Sequence, residues 1–475
     1  MTGRAGIPVR NPRSGQIDGH LQAAGPAELR SVAARLRAAQ PAWRALGAGG
    51  RATALLQWHD ALLRHEAAIG AALEHDTGRR IETGIELRST RDMITRWASR
   101  APGLLADSEP LPVSVPGFTS QRVWVPYVLV GVISPWNFPL LLALIDAVPA
   151  LLAGCAVLVK PSEVTPRFVA PLRAAIEEVP VLASVLAFAD GDAGTGAALI
   201  EVVDQVCFTG SVPTGRKVAV AAAQRFIPAQ LELGGKDPAI VTDDTDLARA
   251  AAAIAWGGMA NAGQSCLSLE RVYVQASVYD EFLRLLVREV GRLRLNIDDV
   301  AHGEVGPIIA ARQVEVIRRQ LDDARARGAT FACGGRLLER GGTWCEPTVV
   351  ADATHDMLVV NEESFAPLLA VLRFDADAKA VELANRTPYG LSAAVFCNDP
   401  ARAEALAARL EAGAISIDDA SLTALIHEGE KQAFKASGLG GSRMGSASIF
   451  RFLRAQARLR NTARAWNPWW YSPKP

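Results

Sequence analysis

The spacing of apolar residues predicts a helical region near the start of the chain. Across residues 25–100 apolar side chains recur every three or four positions with charged residues between them, as at Leu29, Val32 and Leu36. This period places the apolar side chains on one face of a helix. Residues 76–79, with the sequence DTGR, predict a turn between two of these helices.

The pattern changes to a two-residue alternation near residue 110. Leu111, Val113 and Val115 alternate with other residues, and a Pro-Gly pair follows at 116–117. This arrangement predicts a β-hairpin over residues 111–124. Because both of its faces are unevenly apolar, we expect the hairpin to project and to pair with another subunit.

Further along the chain, short apolar runs alternate with helical stretches. The predicted strands cover residues 128–134, 156–160, 181–187, 205–209, 228–233, 238–241, 271–274, 368–373 and 394–397. The predicted helices cover residues 139–152, 166–178, 215–224, 248–257, 278–293 and 310–327. This alternation predicts an α/β fold with two open sheets covered by helices, the second beginning near Lys236. Residues 450–475 predict a basic helix followed by a tryptophan-rich tail.

The composition excludes several classes of function. The chain has 475 residues, of which 49% are hydrophobic and 21% charged, and its formal net charge is +0. A neutral chain without a basic run gives no reason to expect nucleic acid or an acidic membrane surface as a partner. Six cysteines without a C-x-x-C pair and seven scattered histidines predict neither a disulfide framework nor a metal site.

The apolar stretch at residues 138–154 is long enough to suggest a membrane span. Asp146 and Pro149 interrupt it, so we expect a helix buried in the protein and no stable membrane insertion. The first residues lack the apolar core of a signal peptide. Together with the unpaired cysteines, this predicts a cytoplasmic protein.

Three residues at predicted loop positions could carry covalent chemistry. Cys266 ends the small and polar run NAGQSC, and a thiolate is a strong nucleophile towards a carbonyl carbon. Glu232 follows a strand and precedes two glycines, where a carboxylate could activate water. Asn137 lies where a strand passes into a helix, and its amide could stabilise an oxyanion. Each residue alone is explained more simply as a buried cysteine, a loop carboxylate or a helix start.

Two further loops could hold a nucleotide. Lys160 and Glu163 follow a predicted strand and could contact a ribose. Residues 208–215, FTGSVPTG, end a strand and open a helix, and their free backbone N–H groups suit a diphosphate. The segment is not G-x-G-x-x-G and so departs from the usual dinucleotide fingerprint.

In their order and spacing these motifs closely resemble the NAD(P)-dependent aldehyde dehydrogenase superfamily. The resemblance covers most of the chain and rests on the segments DTG (76–78), PWNFP (135–139), KPSE (160–163), FTGS (208–211), ELGGK (232–236), GQSC (263–266), NEESFAP (361–367) and YGLS (389–392). It implies an enzyme with a cofactor domain, a catalytic domain and a projecting arm that links subunits.

The resemblance also implies a role for each matching residue. Cys266 matches the cysteine that attacks the aldehyde, and Glu232 matches the general base that releases the acid. Asn137 and the backbone N–H of Cys266 match the donors to the oxyanion. The expected cofactor contacts are Trp136, Lys160, Ser162, Glu163, Gly210, Ser211, Gly215, Leu233, Glu363 and Phe365. Because the Glu163 carboxylate would repel a 2′-phosphate, NAD is expected ahead of NADP.

The implied domain boundaries divide the chain discontinuously. The NAD-binding domain is expected at residues 1–106 and 127–234 with a return at 436–454, the catalytic domain at 235–435, and the arm and tail at 107–126 and 455–475. The arm predicts a homodimer or a homotetramer. The aromatic tail suits a subunit interface, a cap over a neighbouring site or a membrane interface.

The chain departs from the family pattern at three places. Ala366 replaces the usual glycine after Phe365, and Asp146 stands where many members have a lysine near the path of the general base. The stretch 418–435 lacks the common P-F-G-G segment before Lys435. We therefore expect the entrance loop and the proton route to differ in this chain.

Apolar residues near the expected site predict an apolar substrate, either aromatic or medium to long aliphatic. Phe138, Leu142 and Ile145 share one helix face, and Ser265 and Leu267 flank the cysteine. Each of these residues could equally belong to the core. The alternatives are a CoA-acylating enzyme, an esterase that uses the same thiolate, and a catalytically silent binding protein.

Overall fold

The structure, a computed structural model, describes residues 6–463 and Tyr471. Its α-helices are α1 (Pro26–Ala45), α2 (Gly47–Thr77), α3 (Ile81–Leu104), α4 (Pro139–Leu144), α5 (Ala147–Ala153), α6 (Val169–Glu177), α7 (Pro180–Ala183), α8 (Ala193–Ile200), α9 (Val212–Gln224), α10 (Leu247–Met259), α11 (Tyr279–Val290), α12 (Ala311–Ala326), α13 (Leu358–Asn361), α14 (Asp377–Asn385) and α15 (Pro400–Ala407). Helices α1 to α3 confirm the predicted helical region. Gly78, in the left-handed conformation with φ 68°, ends α2 at the predicted turn.

The strands form two large sheets, one three-stranded sheet and two small hairpins. They are β1 (Ile7–Arg10), β2 (Ile17–Leu21), β3 (Leu111–Pro112), β4 (Phe118–Pro126), β5 (Leu129–Ile133), β6 (Ala156–Lys160), β7 (Leu186–Phe188), β8 (Gln205–Thr209), β9 (Ala229–Glu232), β10 (Asp237–Val241), β11 (Leu269–Gln275), β12 (Thr330–Cys333), β13 (Leu337–Arg340), β14 (Gly342–Cys345), β15 (Thr348–Ala351), β16 (Leu368–Phe374), β17 (Ser392–Phe396), β18 (Ala414–Ile417), β19 (Gly438–Leu439) and β20 (Leu453–Asn461). The hairpins are β1 with β2 and β13 with β14.

The first large sheet has the order β19-β9-β8-β5-β6-β7, and all neighbours are parallel except β19 and β9. Strands β5, β6 and β8 are buried along their whole length, which explains their continuous apolar sequences. The chain builds outward from β5 through β6 to β7 and then adds β8 and β9 on the other side of β5. The strand order therefore reverses between β5 and β8.

The second large sheet has the order β12-β15-β16-β11-β10-β17-β18, with only β12 antiparallel to its neighbour. Successive residues of β10 pack on opposite faces: Ile240 joins one apolar cluster, and Val241 joins another with Phe282 of α11. The sheet is thus covered on both sides. The two large sheets confirm the predicted α/β class.

The three-stranded sheet corrects the prediction for the end of the chain. Residues predicted as a basic helix form a 3₁₀ helix at Ser446–Phe452 and then strand β20, which pairs antiparallel with all nine residues of β4. The sequence LRAQARLR of β20 alternates apolar and polar residues, the period of a strand. Strand β3 pairs with the other edge of β4, as the predicted hairpin requires. Apart from Tyr471, the tryptophan-rich tail lies outside the described residues.

Two predicted elements of the first sheet region also differ. The helix predicted at 139–152 is divided into α4 and α5 at Ile145 and Asp146, because Pro149 has no N–H to donate to the carbonyl of Ile145. The strand predicted at 181–187 begins instead as the short helix α7, with Pro180 at its first turn, and only then becomes β7. Within the described residues, no helix combines the length and the apolar character needed to span a membrane.

Candidate active site

The reversal of strand order creates a crevice at the carboxyl edge of the first sheet. The parallel strands β5, β6, β8 and β9 all end there, and Asn137, Lys160, Ser211 and Glu232 lie at or just after those ends. Open α/β sheets bind ligands outside this edge, at the point where the strand order reverses. The fold therefore brings four of the predicted motifs to one place.

Cys266 lies in a tightly held loop between α10 and β11. Asn261 and the two residues after it have positive φ angles of 55°, 52° and 66°. A side chain at Gly263, the third of these residues, would collide with the backbone of Ala366. The side-chain amide of Gln264 fixes the loop through bonds of 2.9 and 3.1 Å to the backbone of a neighbouring segment. This geometry holds the cysteine at the sheet edge.

The Asn137 side chain is attached to the same loop. It is 3% exposed, and its Nδ2 donates to the carbonyl of Gln264 at 3.1 Å. The backbone carbonyl of Asn137 accepts from Nδ2 of Asn261 at 3.2 Å. An amide nitrogen carries two protons, so the second N–H of Asn137 is left for a ligand beside the Cys266 loop.

Cys266 and Glu232 line one cavity of about 680 Å³. The residues expected at the substrate pocket line it too: Phe138, Leu142, Ile145, Ser265 and Leu267. Further apolar wall residues are Met93, Trp97, Leu141, Trp256 and Met259, which the sequence reasoning missed. Most of these come from α3 and α10. The spacing of these residues in the sequence predicts an apolar helix face, but no local sequence pattern predicts that this face borders a cavity.

The Cys266 residue is half-buried at the cavity wall. Burial raises its pKa to about 11, the Lys431 ammonium opposes this rise, and Glu232 adds to it. Such a thiol is mostly protonated at neutral pH, so nearby charges decide how much thiolate is present. All six cysteines of the chain are unpaired.

Residues 418–435, where the sequence departs from the family pattern, form part of the cavity wall. Ser421 donates its hydroxyl to the carbonyl of Leu267 at 3.0 Å. Lys431 lines the cavity, and its Nζ lies 4.0 Å from Oε2 of Glu232. The altered stretch thus brings a cation to the cavity that the sequence reasoning missed.

Asp146 is not among the residues that line the cavity. Its buried carboxylate bonds to Arg443 at 2.6 Å and to Arg451 at 2.8 Å. Burial would raise the pKa of Asp146, but the two guanidinium groups hold it below its ordinary value. Arg443 also donates to the hydroxyl of Thr209 at 2.5 Å and reaches the cavity wall. The position at which many relatives carry a lysine is therefore a carboxylate that anchors two arginines.

The residues expected to hold a nucleotide lie along the carboxyl edge of the first large sheet, and each of them suits one part of a nucleotide. Lys160 Nζ and Glu163 Oε2 are 2.9 Å apart at the end of β6. The Ser211 hydroxyl bonds to Thr214 at 3.1 Å, so the first N–H groups of α9 have no side-chain cap and suit a diphosphate. At the end of β5 the buried Ser134 hydroxyl has no hydrogen-bond partner among residues 6–463 and Tyr471.

The other expected cofactor residues complete this edge. The rings of Trp136 and Phe365 meet edge to face, with centroids 5.3 Å apart and planes at 75°. Gly215 packs on Leu233, since an added Cβ would lie 2.5 Å from a Leu233 methyl group. Two expected cofactor residues remain. Ser162 follows β6, and Gly210 follows β8.

Glu363 reaches the same edge from the second sheet. Its Oε1 accepts from the backbone N–H of Gly235 at 3.1 Å, and the missing side chain at Gly234 leaves room for the carboxylate. Burial raises the pKa of Glu363 to about 8, and the nearby Glu270 adds to the rise. The carboxyl group therefore titrates just above neutral pH. Within the described residues, no three His, Cys, Asp or Glu side chains group as they would around a metal ion.

Comparisons of the whole sequence agree with the resemblance. A sequence model of the aldehyde dehydrogenase family matches residues 1–457 of this chain. The 4,4'-diapolycopene aldehyde oxidase of Methylomonas sp is 36% identical over 421 residues, which are 87% of this chain and 78% of the relative. The succinate-semialdehyde dehydrogenase (NADP(+)) GabD of Escherichia coli is 32% identical over 450 residues, 92% of each chain.

Solved structures show the same fold. PutA from Anabaena variabilis, which has been assigned to the aldehyde dehydrogenases, is 51% identical with a TM-score of 0.97, over 98% of this chain and 100% of that one. The betaine aldehyde dehydrogenase of Staphylococcus aureus, solved in complex with NAD+, is 29% identical with a TM-score of 0.91, over 98% of this chain and 93% of that one. The chain thus belongs to the aldehyde dehydrogenase family and is an oxidoreductase that acts on aldehydes.

Proposed function

We propose that the protein oxidises an apolar aldehyde to the carboxylic acid with NAD, through a thioester on Cys266. The observation that carries this proposal is that Cys266 and Glu232 line one cavity whose other walls are largely apolar. A nucleophile and a general base on the same cavity suit an acyl transfer in two steps.

In the first step the Cys266 thiol loses its proton to water, the sulfur of the resulting thiolate bonds to the carbonyl carbon, and the carbonyl oxygen becomes an oxyanion. The free N–H of Asn137 and the backbone N–H of Cys266 are the proposed donors to this oxygen. The bound nicotinamide supplies an acceptor for the hydride that leaves the same carbon. A thioester on Cys266 remains.

In the second step Glu232 takes a proton from water, and the water oxygen bonds to the thioester carbon. The C–S bond then breaks, which releases the acid and restores the Cys266 thiolate. A CoA-acylating enzyme would pass the acyl group to a thiol and can dispense with a base that activates water. The place of Glu232 on the cavity wall supports hydrolysis.

The choice of NAD over NADP rests on Glu163. Its side chain is 34% exposed beside Lys160, where we propose that the adenosine ribose binds, and a carboxylate there repels a 2′-phosphate. Glu163→Gln should raise the ratio of kcat/KM with NADP to kcat/KM with NAD about fivefold, because a partly screened repulsion of ~1 kcal/mol is lost. Glu177→Gln, which removes an exposed charge on α6, is the control and should leave the ratio unchanged.

The substrate class rests on the walls contributed by Phe138, Leu142, Ile145 and Leu267, which suit an aromatic or a medium to long aliphatic chain. The test is NADH formation over a panel of short, long and aromatic aldehydes. We expect the highest kcat/KM with apolar aldehydes and no turnover in Cys266→Ala. A preference for short polar aldehydes would overturn the substrate assignment.

Glu232→Gln separates the two chemical steps. If Glu232 activates water, this variant should form one equivalent of NADH in a burst and then stall as the acyl-enzyme. Steady turnover at the wild-type rate would remove Glu232 from the mechanism. Acyl-CoA formation, or ester hydrolysis without NAD as the only activity, would favour the corresponding alternative.

The proposed domain division follows the three sheets. Residues 1–106 and 127–234, with the return at 436–454, would form the NAD-binding domain around the first large sheet. Residues 235–435 would form the catalytic domain around the second. The three-stranded sheet supports an arm built from residues 107–126 and 455–475.

A further inference from the structure

Lys431 is a nearly buried cation whose charge is not neutralised by a close contact. Its side chain is 9% exposed, and it lines the same cavity as Cys266 and Glu232. Its nearest carboxylate oxygen is Glu232 Oε2 at 4.0 Å, beyond hydrogen-bond distance. Within the described residues, no hydrogen bond joins Nζ to an acceptor. Its backbone N–H, by contrast, is fixed by Ser442 Oγ at 2.9 Å.

Arg443, a second cation on the cavity wall, is already paired. The guanidinium of Arg443 bonds to the Asp146 carboxylate and to the Thr209 hydroxyl. Its orientation is therefore fixed by a buried network in which one carboxylate faces two guanidinium groups. Lys431 differs because it lines the cavity while no hydrogen bond within the described residues fixes its ammonium.

A nearly buried ammonium that makes no hydrogen bond to an acceptor lowers the stability of the folded protein. The thiol beside it has the opposite requirement, because burial disfavours the thiolate of Cys266. Among the charged groups around the thiol, Lys431 and, more weakly, Arg443 favour the thiolate, whereas the carboxyl groups of Glu232 and Asp237 disfavour it. The positive charge of Lys431 can thus stabilise the Cys266 thiolate, and the thiolate can in turn stabilise the buried ammonium.

We propose that Lys431 is a positioning residue that supplies the positive charge beside which Cys266 ionises, and that it holds the Glu232 carboxylate at the cavity wall. The inference rests on the proposed roles of Cys266 and Glu232. It concerns a residue within the stretch 418–435 that departs from the family pattern. The altered stretch therefore changes the electrostatics of the nucleophile as well as the shape of the entrance.

The test follows the alkylation of Cys266 by iodoacetamide as a function of pH, read by mass spectrometry of the peptide that contains this residue. The assay needs neither aldehyde nor NAD, so it can succeed or fail independently of the proposed reaction. In Lys431→Met the inflection should move to higher pH, because loss of a neighbouring cation raises the pKa of a thiol. A shift of one pH unit would slow alkylation near neutral pH roughly three- to tenfold, since a more basic thiolate is also more nucleophilic.

Three further variants test whether the charge of Lys431, and not its packing or a distant charge, sets the inflection. Lys431→Arg keeps the charge and should restore an inflection close to that of the wild type. Lys431→Gln removes the charge while keeping a polar side chain and should behave like Lys431→Met. Lys379→Met removes an exposed charge on α14 and should leave the profile unchanged.

The proposal is overturned if both charge-free variants keep the wild-type inflection, or if Lys431→Arg shifts it as far as Lys431→Met does. The first result would show that Lys431 does not act on the thiol. The second would show that packing, not charge, matters. Thermal unfolding of each variant confirms that the profiles compare folded proteins.

Discussion

At the scale of single residues, Asn137 tests whether the oxyanion site is built as proposed. Asn137→Ala should lower kcat about 10²- to 10³-fold with a smaller effect on KM, because the donor acts on charge that develops in the transition state. Stopped-flow and steady-state NADH formation would measure it. Alkylation of Cys266 at the wild-type rate would show that the loop is intact, and an unchanged kcat would contradict the assignment.

Glu363 gives a prediction about pH. Its pKa is raised to about 8 by burial, so the group is mostly neutral below that pH and mostly ionised above it. We propose that Glu363 contacts the nicotinamide ribose of NAD, and a carboxylate accepts ribose hydroxyls more strongly than a neutral acid does. The Kd for NAD should therefore fall about fivefold as pH rises from 7 to 9, a gain of ~1 kcal/mol. Titration calorimetry would measure it.

The matching variant is Glu363→Gln, whose side chain does not ionise. Its Kd for NAD should vary little between pH 7 and 9. If the wild type and this variant show the same dependence on pH, another group titrates and Glu363 is not the ribose contact.

At the scale of elements, Asp146 joins the segment between α4 and α5 to the end of the chain. Its carboxylate is buried between Arg443 and Arg451, which lie in the segment that leads into β20. Asp146→Ala would leave two buried guanidinium groups without their anion, which should lower the free energy of unfolding by about 3–5 kcal/mol. Urea unfolding followed by circular dichroism would measure this.

Asp60 provides the control for that experiment, because it is an exposed aspartate on α2. Asp60→Ala should change the free energy of unfolding by less than about 0.5 kcal/mol. An equally small effect of Asp146→Ala would mean that the two arginines find other partners, and the role given to the network would be wrong.

At the scale of the whole molecule, the three-stranded sheet offers an exposed apolar surface. Leu111 and Leu459 both lie directly opposite Ser120 on its two sides, so all three side chains project from one face. The two leucines are 64% and 74% exposed. We propose that this face joins subunits of a homodimer or homotetramer.

Charges on this face should weaken that assembly. The double variant Leu111→Glu with Leu459→Glu should have a lower mass than the wild type by light scattering after gel filtration, because an apolar contact between subunits does not tolerate buried carboxylates. Leu63→Glu places the same charge on an exposed position of α2 and should keep the wild-type mass. If the double variant keeps it too, the interface lies elsewhere.

Local patterns in the sequence were enough for most elements. Buried strands such as β5 and β6 have continuous apolar sequences, and Gly78 marks a turn that needs a left-handed residue. The prediction was wrong at β20, because a helix was inferred from the basic composition although the two-residue alternation is that of a strand. It also failed at the junction of α4 and α5, where Pro149 interrupts the predicted helix.

By itself, the sequence determined the α/β class, the family and the motifs that carry Cys266, Glu232 and Asn137, because each motif is a short run whose residues stay together whatever the chain does elsewhere. Only the tertiary structure decided that helices α3 and α10 wall one cavity with Cys266, and that Asp146 anchors arginines. The approach of Lys431 to Glu232 was decided in the same way. These features depend on contacts between segments distant in the chain, and such contacts follow from the packing of whole sheets.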